Sequence, residues 1–221
     1  RDVTGVQTCA LPIYIQEIMQ MDEKTQIKAT AHGLRVVLPS KRSRFHVMRE
    51  KAAIDELIDG LPGPDEVFKL LSFGAFSSIG LIRYVADRGR IEDLTVSSLA
   101  VGADQAMCLD VLAREGKIGK ARFFVGSVMG MDRRTKTVKA GIRDRAVVLS
   151  ELCRTHDWEA MICRNHSKII LMRTAIGHFV VETSSNLNEN PKFEQFSFEN
   201  NEALYKFYEM FFDELAEGER G

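Results

Sequence analysis

Apolar positions along this chain follow two periods in turn. Short runs at 66–73, 93–99, 121–128, 158–163, 167–173, 177–183 and 193–198 are rich in Val, Ile, Phe and Leu and predict strands. Between them the spacing becomes helical. Ile79, Ile82, Val85 and Ala86 predict a helix over 78–88 that closes at Gly89, and Met107, Val111 and Leu112 one over 103–114 that closes at Gly116. Two more helices are expected at 143–154 and 202–215, the second carrying Leu204, Phe207, Phe211 and Leu215 on one side. The N-terminal part is less regular. Residues 14–31 read as a weak helix, 33–38 as a short strand stopped by Pro39, and a basic stretch then runs into a helix ending near Gly60. Leu61-Pro-Gly-Pro-Asp65 is a strong turn signal and the expected boundary. Strands alternating with helices, followed by strands joined through short turns, predict a three-layer α/β fold with a mixed sheet.

Composition narrows the picture. With 45% hydrophobic and 28% charged residues in 221, the chain is neither a disordered polymer nor a disulfide-stapled miniprotein. The net charge of -1 conceals an asymmetry: residues 1–150 hold 23 Lys/Arg against 18 Asp/Glu, and 151–221 hold 7 against 13. A basic field over the whole molecule is excluded; a local basic patch is not. No apolar run approaches the ~18 residues needed to cross a membrane, so no membrane association is expected. The opening segment has no initiating Met, and Val3 to Ile13 resembles the in-frame translation of a sequencing adapter, so residues 1–13 are set aside as non-native. Without Cys9 there remain Cys108, Cys153 and Cys163, an odd number without framework spacing. Free thiols in a reducing, cytoplasmic setting are the simplest expectation.

One stretch carries chemistry: Asn165-His166-Ser167-Lys168 before an apolar run, then Thr183-Ser184-Ser185-Asn186 after the next. If both belong to strands, His166 and Lys168 share a face, as do Ser184 and Asn186. A tight turn at 175–177 would make the two strands antiparallel neighbours. One surface then gathers an imidazole, an ammonium, a hydroxyl and a carboxamide. That set suits a phosphodiester: the imidazole to attack phosphorus, Lys and Asn to hold the non-bridging oxygens as their charge grows.

These residues resemble the phospholipase D-like superfamily, whose signature reads H-x-K-x4-D followed by G-S-x-N. His166 and Lys168 match the first part, and Ser184 and Asn186 the second, with Thr183 where glycine is usual. Glu194, 28 residues past His166, fits the downstream carboxylate that orients the histidine in the single-motif bacterial and phage members. The resemblance covers roughly residues 66–215 and implies a three-layer α/β/α phospholipase D-like domain over 66–221, preceded by a helix and strand extension over 14–65. It also implies a homodimer that apposes two copies of the motif: His166 of one subunit attacks, and His166 of the other protonates the leaving oxygen. No metal or other cofactor is implied. One departure stands out, because Arg173 occupies the place of the signature aspartate, five residues after Lys168.

Several alternatives remain open. Ser184 and Asn186 are also ordinary turn formers, Glu194 could be a solvated strand residue, and Glu182 and Glu199 compete for its role. Cys153-Arg-Thr-His156 and Cys163-Arg-Asn-His166 could together hold zinc, although only six residues separate the pairs. Residues 114–145 hold 10 Lys/Arg against 3 Asp/Glu, and Arg133, Arg134, Lys136, Lys139 and Arg143 could track a phosphate backbone or simply be solvated. The run from Lys41 to Lys51, with Phe45 and His46, could extend that rim. Phe207, Tyr208, Phe211 and Phe212 are expected in the core or at a dimer contact. DNA cleavage is the preferred activity. Phospholipid hydrolysis or phosphatidyl transfer, and a catalytically impaired nucleic-acid-binding relative, are the rivals.

Overall fold

The computed structural model describes residues 26–30, 33–37, 42–126, 140–188 and 193–218. The chain divides into two compact units between Arg42 and Ser43. In the first, β1 (Gln26–Thr30) and β2 (Gly33–Val37) form an antiparallel hairpin that pairs Gln26 with Val37 and Thr30 with Gly33. The helix expected over 14–31 is thus a strand at its C-terminal end. Gln-Ile-Lys-Ala-Thr has only a weak local preference, and a Val-rich partner three residues on satisfies its backbone in a ladder. The rest of that reading, 14–25, lies outside the described residues.

The second unit runs α1 (Arg42–Leu57), β3 (Glu66–Ser72), α2 (Ser78–Ala86), β4 (Ile91–Ser98), α3 (Ala103–Arg114), β5 (Ile118–Gly126), α4 (Ala140–His156), β6 (Glu159–Cys163), β7 (Ile169–Thr174), β8 (Gly177–Thr183), β9 (Glu194–Asn200) and α5 (Glu202–Gly218). The expected helices and strands of 66–215 all form, with ends displaced by a few residues at most. Gly116 closes α3 with φ +71, a conformation that glycine adopts at no steric cost.

Seven strands make one mixed sheet in the order β3-β9-β8-β7-β4-β5-β6. β4, β5 and β6 are parallel neighbours, joined by crossovers through α3 and α4. β7 lies antiparallel on the other side of β4, and β8, β9 and β3 follow with antiparallel pairing throughout. Strands β3, β4, β5, β6 and β8 therefore end on one edge of the sheet, where β7 and β9 begin.

Period-two alternation divides the apolar residues between two faces. Ile170, Met172, Phe179 and Val181 join Leu94, Val96, Phe123 and Val125 in a core roofed by α1 to α4. Leu171 and Val180 point the other way and meet Phe124, Cys163, Tyr205 and Phe212 beneath α5. Helices on both faces of a mixed sheet give the expected three-layer α/β/α arrangement. On the first face α1 crosses α2 at Gly80, where a Cβ would lie 3.1 Å from Ile54 Cδ1 and 3.2 Å from Glu50 Oε2. The buried Glu50 carboxylate accepts the Ser77 hydroxyl at 2.8 Å. On the second face, Tyr208 donates to Glu182 and Arg122 pairs with Asp213, fastening α5 to β8 and β5. Of the five aromatics of this helix, Tyr205 and Phe212 are buried, the latter stacking on Phe124 at 4.8 Å, Tyr208 is half-buried, and Phe207 and Phe211 are exposed.

The second core is small, so each large side chain in it carries weight. Phe212→Ala should destabilise the protein by about 3–5 kcal/mol through lost burial and the cavity left behind. Phe207→Ala should change stability by less than about 0.5 kcal/mol. Urea unfolding followed by far-UV circular dichroism measures both.

Candidate functional site

In open α/β sheets ligands bind outside the carboxyl ends of the strands. The chemistry-bearing residues converge on that edge here. His166 and Lys168 lie in the segment that enters β7, Ser184 and Asn186 in the segment that leaves β8, and Glu194 opens β9. The expectation that these pairs sit within strands is corrected: β7 begins at Ile169 and β8 ends at Thr183. The ladder carries the segments together nonetheless. Ile169 pairs with Glu182, Thr183 pairs with Phe196, the Thr183 amide donates to the Lys168 carbonyl at 3.1 Å, and the Ser184 amide to the Gln195 carbonyl at 3.2 Å.

His166 is exposed and Lys168 folds back on it. The ammonium lies 3.1 Å from His166 Nδ1 and donates to the His166 carbonyl at 2.6 Å. Burial lowers the Lys168 pKa from the usual lysine value, and the Glu194 carboxylate partly offsets that shift. Glu194 is buried and accepts a hydrogen bond from the Ser184 hydroxyl. Its two sequence competitors are engaged elsewhere: Glu182 takes the Tyr208 hydroxyl under α5, and Glu199 takes the Asn201 side chain at 3.1 Å. Asn186 accepts the Leu99 amide at 3.2 Å, and the Leu187 amide donates to Ser98 at 2.9 Å, so the segment after β8 is laced across the end of β4. The geometry places an imidazole and an ammonium beside a hydroxyl–carboxylate pair on neighbouring strand ends.

Arg173 is not part of this group. It lies at the opposite end of β7, roughly 16 Å from Lys168 at about 3.3 Å per residue. There it pairs with Glu92 at 2.6 Å and with Asp93. The zinc reading also fails on geometry. Cys153 packs in the core under α1 to α4 and Cys163 in the core under α5, on opposite faces of the sheet. His156 is held by Asp110 at 2.7 Å, and burial pushes the Cys153 thiol up to about 11, away from the thiolate that zinc requires. Arg133, Arg134, Lys136 and Lys139 lie outside the described residues; Arg143 falls in α4, but its side chain lies outside the description.

Two features at the edge carry no motif letter. Exposed Phe73 and Phe193 flank the paired residues Ser72 and Glu194 and meet edge to face at 5.1 Å. Such a pair could be found in the sequence only through the β3–β9 register. Asn165, next to His166, is tied to the ends of β4 and β5.

The fold and the edge together define an α/β/α domain with a compact, polar, histidine-containing site. No protein-family model and no curated relative matches the sequence. Solved structures do. The chain is similar to polyphosphate kinase from Porphyromonas gingivalis (TM-score 0.47, 14% identity, 66% of this chain and 25% of that one). It is also similar to Nuc, a phospholipase D family member from Salmonella typhimurium (0.45, 12%, 67% and 93%), and to phosphatidylserine synthase from Haemophilus influenzae (0.47, 13%, 66% and 37%). The chain thus spans a quarter of the polyphosphate kinase and little more than a third of the synthase.

Two outcomes follow from the site. Because the Glu194 charge raises the Lys168 pKa against burial, Glu194→Gln should move the Lys168 titration midpoint further down, as read by NMR of ¹³Cε-labelled lysine. A midpoint that rises would contradict the placement. Arg173→Asp sets a third carboxylate beside Glu92 and Asp93; it should cost about 1–2 kcal/mol in thermal or urea unfolding and bring no gain in any activity of the site.

Proposed function

We propose that the chain is a phosphodiesterase of the phospholipase D-like type, and that its substrate is DNA. The observation that carries this reading is the contact between the His166 imidazole and the Lys168 ammonium at the strand edge that also holds Ser184, Asn186 and Glu194. A phosphodiester entering there offers its anionic oxygens to Lys168, a stronger partner for an ammonium than a neutral ring nitrogen. Lys168 leaves Nδ1 for the phosphate, and the imidazole is freed to act. It attacks phosphorus; the P–N bond forms as the P–O bond to the leaving alkoxide breaks, and the alkoxide takes a proton. Water then displaces the imidazole from the phosphohistidine, giving a phosphomonoester and a free ring. Lys168 and the Asn186 carboxamide hold the non-bridging oxygens.

The leaving group needs a second acid. Among the residues whose side chains are described, the other imidazoles are remote: His178 opens β8 and His156 ends α4, both at the far edge of the sheet, while the side chain of His46 on α1 lies outside the description. This supports a homodimer in which His166 of the partner subunit supplies the proton and later activates the water. Arg173 does not argue for an impaired site, since its ion pairs hold it at the far end of β7. The basic residues Arg133, Arg134, Lys136, Lys139 and Arg143 are proposed to follow the DNA backbone beside the site.

The wild-type protein should hydrolyse bis(p-nitrophenyl) phosphate and nick plasmid DNA, with activity retained in EDTA. His166→Ala should lower both by at least about 10³-fold, and an acid-labile phosphoryl group should be trapped on His166 of the wild type. Full activity in the variant, or loss in EDTA, would sink the mechanism. Lipid turnover without nicking would move the substrate to phospholipid.

A further inference from the structure

The segment that carries His166 and Lys168 is not held by strand pairing, since β6 ends at Cys163 and β7 begins at Ile169. The Thr183 amide holds its Lys168 end, and the rest is held chiefly by one side chain. The Asn165 carboxamide donates from Nδ2 to Ser97 Oγ and to the Phe124 carbonyl, both at 2.8 Å. Its Oδ1 accepts the Ser167 amide and the Ser167 hydroxyl, each also at 2.8 Å. Ser97 and Ser167 meet at 2.5 Å. Because the Ser167 proton goes to Asn165, the Ser97 hydroxyl is the donor in that contact, and the three side chains close a cycle in which each both gives and receives a hydrogen bond.

The orientation of the amide is dictated by backbone groups. One end faces an N–H, from Ser167, and the other faces a C=O, from Phe124, so a flipped amide would oppose donor to donor and acceptor to acceptor. Only a carboxamide meets both. Gly126, at the end of β5, lets the segment come this close: a Cβ there would lie 2.9 Å from the Asn165 carbonyl and 2.8 Å from that of Leu99.

We propose that Asn165 is the positioning residue of the site. It spans the ends of β4 and β5, fixes the Ser167 backbone, and thereby sets where the imidazole of His166 and the ammonium of Lys168 stand on either side of Ser167. The proposal rests on the phosphodiesterase reading. Its action is through geometry, so its loss should be felt in the chemical step more than in substrate binding. A displacement of about 1 Å in a catalytic group costs on the order of 10²-fold in rate.

The test uses the full chain and bis(p-nitrophenyl) phosphate. Asn165→Asp keeps the shape and the acceptor toward Ser167 but turns a carboxylate oxygen on the Phe124 carbonyl; Asn165→Ala removes the bridge altogether. Both should lower kcat by about 30- to 100-fold with KM changed less than about 3-fold. In both, hydrogen exchange at the Ser167 amide should speed up at least about 10-fold while the amides of Ile170 and Leu171 keep their protection. Active wild type together with variants of wild-type kcat, or a loss expressed wholly in KM, would overturn the positioning role alone. Variants in which the β7 amides also lose protection would likewise overturn it, in favour of a plain folding role. An inactive wild type would overturn both this proposal and the phosphodiesterase reading.

Discussion

The candidate site depends on the register of three antiparallel strands. His166, Ser184 and Glu194 are separated by 18 and 10 residues of chain, and no local propensity brings them together. The β7–β8–β9 ladder does, by pairing Ile169 with Glu182 and Thr183 with Phe196. Adjacent strands lie about 4.8 Å apart, so residues at matching ends become neighbours. A slip of one residue would turn Leu171 and Val180 out of the core under α5 and exchange them for Ile170 and Val181. The two cores therefore guard the register, and the register builds the edge.

The edge is also where side chains gain the freedom to converge. Within β7 and β8 alternate residues are committed to one core or the other. Just outside the strands, at 166–168 and 184–186, the backbone leaves the ladder and polar side chains can turn over the rim. That freedom has to be countered by other bonds. Thr183 Oγ1 donates to the Gln195 carbonyl and accepts the Ser185 amide, Ser98 accepts the Leu187 amide, and the Gly102 amide donates to the Leu187 carbonyl. The segment after β8 is in this way fastened by hydroxyls alongside the backbone bonds that remain to it.

Much of this was legible in the sequence, and the limits are physical. Strands and helices from 66 to 215 announce themselves by period, because each buries one face or both against a long-lived neighbour. The fold class followed from their alternation, and the pairing of β7 with β8 from the tight turn after Thr174. Of the first hairpin only the strand at 33–37 announced itself; Gln26–Thr30 alternates over just Ile27 and Ala29, too short and too weakly apolar to be told from a helix end, and becomes a strand through its partner. Nor did the position of His166 and Lys168 outside the ladder, because the apolar run of β7 continues the same alternation toward them. Asn165 reads as one more polar loop residue until Ser97 and Phe124, 68 and 41 positions earlier, are seen to be its partners. The convergence of Phe73 and Phe193 is hidden for the same reason.

Arg173 shows how a motif letter and a site can come apart. Read as a string, it breaks the signature five residues after Lys168. Read along β7, five residues of extended chain carry it from one edge of the sheet to the other, where Glu92 and Asp93 on β4 receive its guanidinium. The two ends of the strand thus have separate electrostatics. At the near end an ammonium, partly desolvated, stands in the field of Glu194. At the far end an arginine is held by two carboxylates and joins β7 to the central strand. An aspartate there would face those same carboxylates, so the arginine and its acidic partners form one consistent local solution. What the substitution changes is the bond between β7 and β4, and the chemistry of the near edge is left to the residues that stand there.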